Sequence, residues 1–103
     1  MINHFKVVIS SRAQDDLAEC VGFVLKASKE AAYTLARDIY ALIEGLETFP
    51  EKNPLFAMPK SFPHPIRKQV INKRYIALYS TEGDYVVVYR VLDARRKFDG
   101  LVL

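Results

Sequence analysis

The stretch RYIALYSTEGDYVVVYRVLDARRK, Arg74 to Lys97, decides the fold. Two runs rich in Val, Ile, Thr and Tyr flank Glu82-Gly83-Asp84, residues that tolerate turn conformations, so the pair reads as an antiparallel hairpin. The second arm carries Val86, Val87 and Val88 in succession. A strand with one wet face alternates apolar and polar residues, so an arm apolar on both faces belongs inside a sheet that is covered on each side. A third strand, IRKQVIN (66–72), precedes the hairpin through a tight turn near Asn72-Lys73, which makes an antiparallel meander.

Working outward toward the N-terminus, all five prolines lie at Pro50, Pro54, Pro59, Pro63 and Pro65. None donates to a ladder, so this segment reads as a crossing loop. Before it, Ala32, Leu35, Ile39, Leu42, Leu46 and Phe49 step by 3, 4, 3, 4 and 3 residues, the period of an amphipathic helix. Ser28 is placed to cap that helix and Pro50 to end it. Ala13, Leu17, Val21 and Val24 mark an earlier helix that fades near Ala27. Ser11 and Gln14 have the spacing of a capping box there, with Asp15 and Asp16 expected in the first turn. The opening HFKVVI (4–9) alternates as a strand.

The order is therefore β-α-α-β-β-β, an α+β fold in which a helical hairpin packs on one face of a curved antiparallel sheet. One further short strand is expected at Leu101-Val102-Leu103. The 103 residues suit a single domain, 1–103.

Charge is unevenly spread. Residues 1–50 hold 5 Lys/Arg against 7 Asp/Glu, and residues 51–103 hold 10 against 5, so the halves sum to −2 and +5 within a total of +3. An acidic partner is expected on the strand half. Eight of its ten cations fall into three groups: Arg67 and Lys68; Lys73 and Arg74; and Arg90, Arg95, Arg96 and Lys97. Meander strands bring such groups to shared ends, so one exposed basic patch is expected. Tyr75, Tyr79, Tyr85 and Tyr89 lie among them, either packing the sheet or offering faces for stacking bases.

Catalytic constellations are sparse. Cys20, the sole cysteine, lies on the apolar stripe of the first helix and reads as a small core residue. With only His4 and His64 beside it there are too few soft ligands for a structural zinc site, and no cofactor is expected. A single cysteine, no signal-peptide order and no apolar run of about 18 residues point to the cytoplasm and away from a membrane.

The opening strand, SSRAQDDLAECVGFV, ALIEGLETFP, IRKQVINKRYIALYS and YVVVYRVLDARRK, taken in order, resemble the RelE/ParE superfamily of toxins from bacterial type II toxin–antitoxin modules. The resemblance spans nearly the whole chain. It implies two helices on a sheet and one of two activities. A RelE-like member is a ribosome-dependent mRNA endoribonuclease, for which Arg67, Lys68, Arg74, Arg90 and Arg96 would form the cationic catalytic set. That branch commonly carries an arginine where Ile76 follows Tyr75, and a Tyr or His in the tail, which here reads Phe98-Asp99-Gly100-Leu101-Val102-Leu103. The pattern is closer to the ParE branch, whose members poison DNA gyrase and so inhibit growth. That branch implies a target contact through Arg95, Arg96, Lys97 and Phe98. It also implies a cognate antitoxin held by Leu17, Val21, Arg67, Arg74 and Arg90 in a toxin–antitoxin hetero-oligomer. A member that has lost toxicity and only grips an antitoxin is the third expectation.

Overall fold

The computed structural model describes residues 4–58, 62–95 and 100–103. Strand β1 (Lys6–Ile9) leads into helix α1 (Ser11–Ala27), helix α2 (Lys29–Thr48) and a short 3-10 turn at Pro50–Lys52. Strands β2 (Arg67–Ile71), β3 (Tyr75–Glu82) and β4 (Tyr85–Asp93) follow. The sequence-derived order β-α-α-β-β-β holds.

Each helix starts on a serine. Ser28 Oγ accepts from Ala31 N–H at 3.0 Å, as its position before α2 requires. At α1 the cap is Ser10, not Ser11: Ser10 Oγ accepts from Ala13 N–H at 3.0 Å and donates to the Tyr89 carbonyl at 3.0 Å. Gln14 Nε2 donates to the Ile9 carbonyl instead of closing a box. Ser10 is also the last residue of this segment tied to the sheet, its N–H donating to the Val88 carbonyl, so strand passes into helix at the capping residue itself. Asp15 and Asp16 consequently fall in the second turn, and the first turn holds no acidic residue.

The sheet order is β1-β4-β3-β2. The β2–β3–β4 meander is antiparallel as expected, but β1 joins β4 parallel, so the sheet is mixed. Side-chain alternation is the same in either direction, which is why the sequence pattern did not distinguish them. The Val86–Val88 run lies in an internal strand flanked by β1 and β3. Asn72 and Lys73 both have positive φ (54° and 58°), the signature of a type I′ hairpin turn.

Both faces are covered. Leu35, Leu42 and Leu46 of α2 and Ala13 of α1 pack on Tyr75, Ala77, Tyr79, Val86, Val88 and Val91. On the other face Ile76, Leu78 and Leu92 lie under Ile66 and Leu101, with Phe56, Met58 and Phe62 packed alongside. The proline-rich segment and the C-terminal residues thus form the second cover. Leu101 is buried but residues 101–103 form no strand, in contrast to the expectation, since their role is to seal this face.

A register shift between Leu78 and Tyr79 leaves Tyr89 as an extra residue in β4. Such a bulge reverses which residues face which layer. Val86 and Val88 face the helices before it and Val91 after it. β1 ends opposite Val88, so the edge of β4 from Tyr89 onward is left to α1 and the C-terminal residues.

Candidate functional site: a charged cavity and a helical groove

Along that uncovered edge the N-terminal half of α1 takes the place of a strand. Asp16 Oδ2 accepts from Val91 N–H at 2.9 Å and from Arg90 Nε at 2.8 Å, while Oδ1 accepts from Arg90 Nη2 at 3.1 Å. Arg90 Nη1 donates to the Val102 carbonyl at 2.9 Å. The bulge frees a backbone N–H and turns an arginine outward, and one carboxylate satisfies both. The two side chains are 16% and 14% exposed, so the pair is largely desolvated, and Asp16 raises the Arg90 pKa by hydrogen bonding.

Past the end of the edge two more guanidinium groups meet one carboxylate. Asp93 accepts from Arg95 backbone N–H (2.9 Å), Nε (3.0 Å) and Nη2 (2.8 Å), and these bonds hold its carboxyl well below the usual range. Arg74 Nε lies 3.6 Å from the same group. The Arg74 guanidinium carbon lies over the rings of Phe23 and Tyr75, 5.6 Å from each centroid and within cation–π range. A cavity of about 490 Å³ opens here, lined by Asp16, Glu19, Cys20, Phe23, Arg74, Tyr75, Asp93 and Arg95. Cys20 lies at its wall and packs against the main core; burial, then the carboxylates of Asp16 and Glu19, push its thiol up to about 11. At neutral pH that thiol is protonated and a poor nucleophile.

A second concavity, of about 380 Å³, runs along the outside of the helical hairpin between Leu17 and Val21 of α1 and Ile39, Tyr40 and Ile43 of α2. Its lining is apolar, and Tyr40 is 72% exposed beside it.

The remaining predicted residues lie elsewhere. Arg67 faces the helix side, where its Nη1 donates to the Asn53 carbonyl at 2.7 Å. Asn53 Nδ2 in turn donates to Tyr79 Oη at 2.9 Å, and the Tyr79 hydroxyl donates to the Pro50 carbonyl at 2.5 Å. Lys68 projects to the opposite face of the same strand. On that face Ser80 and Tyr89 hydroxyls both donate to Glu82, with His64 Nε2 4.0 Å from the other carboxylate oxygen. The hydrogen bond from Ser80, then that from Tyr89, hold the Glu82 carboxyl below its ordinary pKa.

The structure therefore brings Arg74, Arg90 and Arg95 to one flank of α1 and separates Arg67 and Lys68 from them. It places Leu17 and Val21 in the hairpin groove. Arg96, Lys97 and Phe98 lie outside the described residues. Among the described residues there is no group of three or more His, Cys, Asp or Glu that could hold a metal, and no helix long and apolar enough to cross a membrane. Asp16, Glu19, Phe23 and Asp93 were not singled out from the sequence as site residues. A signal existed for Asp93, the sole carboxylate between Arg90 and Lys97; none existed for Phe23, whose partner Arg74 comes from a distant strand end.

Comparison with known proteins follows the geometry. The family described as ParE toxin of type II toxin-antitoxin system, parDE, matches residues 7–98. Among solved structures, the "Chromosomal ParDE TA system from P. aeruginosa" is similar with a TM-score of 0.66 at 16% identity, covering 88% of this chain and 97% of that one. That likeness is one of fold. No curated protein matches in sequence.

Proposed function

This chain belongs to the ParE toxin family of type II toxin–antitoxin systems, and from that premise we propose that it inhibits growth by poisoning DNA gyrase and is neutralised by a cognate antitoxin. The proposed target contact is the segment after β4, Arg95 with Arg96, Lys97 and Phe98. The proposed antitoxin seat is the groove at Leu17 and Val21, with Arg67, Arg74 and Arg90 as charged contacts.

The observation that carries the choice of gyrase over RNA cleavage is the state of Arg90. Its Nε and Nη2 are spent on Asp16 and its Nη1 on the Val102 carbonyl. A nuclease site needs donors aimed at a developing phosphorane and a group that moves a proton. Arg67 is likewise engaged with Asn53, and Arg95 with Asp93. The Tyr89 hydroxyl, on the opposite face, is held by Glu82. Cations so committed to internal carboxylates and carbonyls support a protein that acts by gripping a target.

Purified chain added to gyrase and supercoiled plasmid is expected to give enzyme-linked cleaved DNA. Unchanged supercoiling at a large excess overturns the reading. Programmed ribosomes supply the contrast: codon-dependent mRNA cuts that vanish on Arg90→Ala identify the nuclease instead. Colony formation unaffected by induction identifies a binding module without toxicity.

A further inference from the structure

Helix α2 buries Leu35, Leu42 and Leu46 against the sheet and carries a second patterned line on its outside. Lys29, Tyr33, Ala36, Tyr40, Ile43 and Glu47 step by 4, 3, 4, 3 and 4 residues, the spacing of a helix–helix seam. The fold of one chain leaves this line unfilled. Tyr33 and Tyr40 are 76% and 72% exposed, Ala36 and Ile43 are half-buried, and neither Lys29 nor Glu47 is in an ion pair among the described residues. Apolar residues scattered singly over a surface need no partner, but these four lie in register along a line about 27 Å long from Lys29 to Glu47.

The order of residues along the seam selects its occupant. Laid antiparallel on a copy of itself, with the two-fold axis level with residue 38, the seam sets Lys29 against Glu47, Tyr33 against Ile43 and Ala36 against Tyr40. Each position meets its complement. Cation faces carboxylate at both ends, a ring lies on a branched aliphatic chain, and the largest side chain covers the smallest, so the helices can approach closely. The parallel arrangement would instead set Lys29 beside Lys29 and Glu47 beside Glu47. A partner of one charge sign meets an opposite charge at one end of the seam and a like charge at the other. Nucleic acid is disfavoured as well, since α2 holds Lys29 and Arg37 against Glu30, Asp38, Glu44 and Glu47, two cations to four carboxylates.

We infer that the outer face of α2 is a self-association surface, on which a second copy of this chain seats its own α2 antiparallel about a two-fold axis. The inference rests on neither the gyrase reading nor the antitoxin reading. One helix face per chain is small beside the about 1,600 Å² of a standard stable interface, so the dimer forms in the micromolar range and exchanges with monomer. Ala36, Tyr40 and Ile43 also line the groove that holds Leu17 and Val21. A second copy on α2 and a ligand filling that groove therefore exclude one another.

Sedimentation equilibrium of the intact chain by itself is the test. The mass is expected to rise from one chain toward two as concentration passes through the micromolar range, and Tyr40→Lys, a change at an exposed position, should hold it at one chain with an unchanged melting temperature. Charge exchange reads the geometry. Lys29→Glu sets two carboxylates together at each end of the dimer and Glu47→Lys sets two ammonium groups there, so each variant alone should associate about fivefold or more weakly at low salt. Mixed in equal amounts they restore both opposite-charge pairs, and the mixture should associate as the unaltered chain does. A chain that stays monomeric throughout overturns the inference and leaves the face to a different protein. A dimer that persists in Tyr40→Lys, or charge variants that fail to rescue one another, place the contact elsewhere and overturn it too.

Discussion

Asp16 accepts hydrogen bonds from two groups of β4 at once, so its loss strands both a guanidinium and a backbone N–H. Asp16→Ala is expected to cost about 3 kcal/mol in urea unfolding, the range for breaking a largely desolvated pair, whereas Asp16→Asn, which still accepts from Val91, should cost less. A second residue-scale expectation concerns pH. Glu82 and Asp93 titrate below their unfolded values when folded, through hydrogen bonds from Ser80 and Tyr89 in one case and Arg95 in the other. Their contribution is full above the unfolded pKa of about 4 and is lost as pH falls toward the folded values. Urea midpoints should therefore drop between about pH 5 and pH 2, and Glu82→Gln should shallow that fall. At this scale the sequence showed residue types but not partners. Asp16 read as a charge favouring a helix start, because nothing in a linear pattern reveals that Arg90, 74 positions away, turns toward it.

The elements were the most legible part. Apolar period, capping serine and proline stop located α2 and its termini, because each is a local requirement of the helix itself. The Ser10 hydroxyl serves α1 and the β4 edge together, while the Ser28 hydroxyl caps only α2. Ser10→Ala should accordingly cost more than Ser28→Ala, with the latter near 1 kcal/mol, the usual worth of an N-cap. The β2–β3 turn offers the opposite sign. Lys73 sits at φ 58°, where a Cβ is strained, so Lys73→Gly is expected to raise stability by about 0.5–1 kcal/mol in thermal or urea unfolding. The bulge at Tyr89 was not legible. An uninterrupted reading of YVVVYRVLD gives no reason to flip parity after Val88, and the reason is supplied by β3, whose Leu78 and Tyr79 pair with Arg90 and Val88.

For the whole molecule, the second cover decides what surface remains. Leu101 is 9% exposed and joins Ile66, Ile76, Leu78 and Leu92, so Leu101→Ala should cost about 2–3 kcal/mol and expose apolar surface to a dye such as ANS. The anticipated single basic patch resolves at this scale into separate arrangements. Arg74, Arg90 and Arg95 gather beside α1 with carboxylates among them, and Arg67 holds the Asn53 loop on β2. Net charge alone, +3, described none of this.

Taken alone, the chain of residues settled its two helices, the four strands that form, their order and the family resemblance, because propensity, periodicity and capping act over a few neighbours. Only the tertiary structure decided that β1 lies parallel to β4 and that the prolines and the C-terminal leucine close the second face. It likewise decided that Asp16 claims Arg90 and Asp93 claims Arg95. Charge pairing depends on distance through space, and the segments that meet at the cavity are brought there by the shared requirement to bury both faces of one sheet.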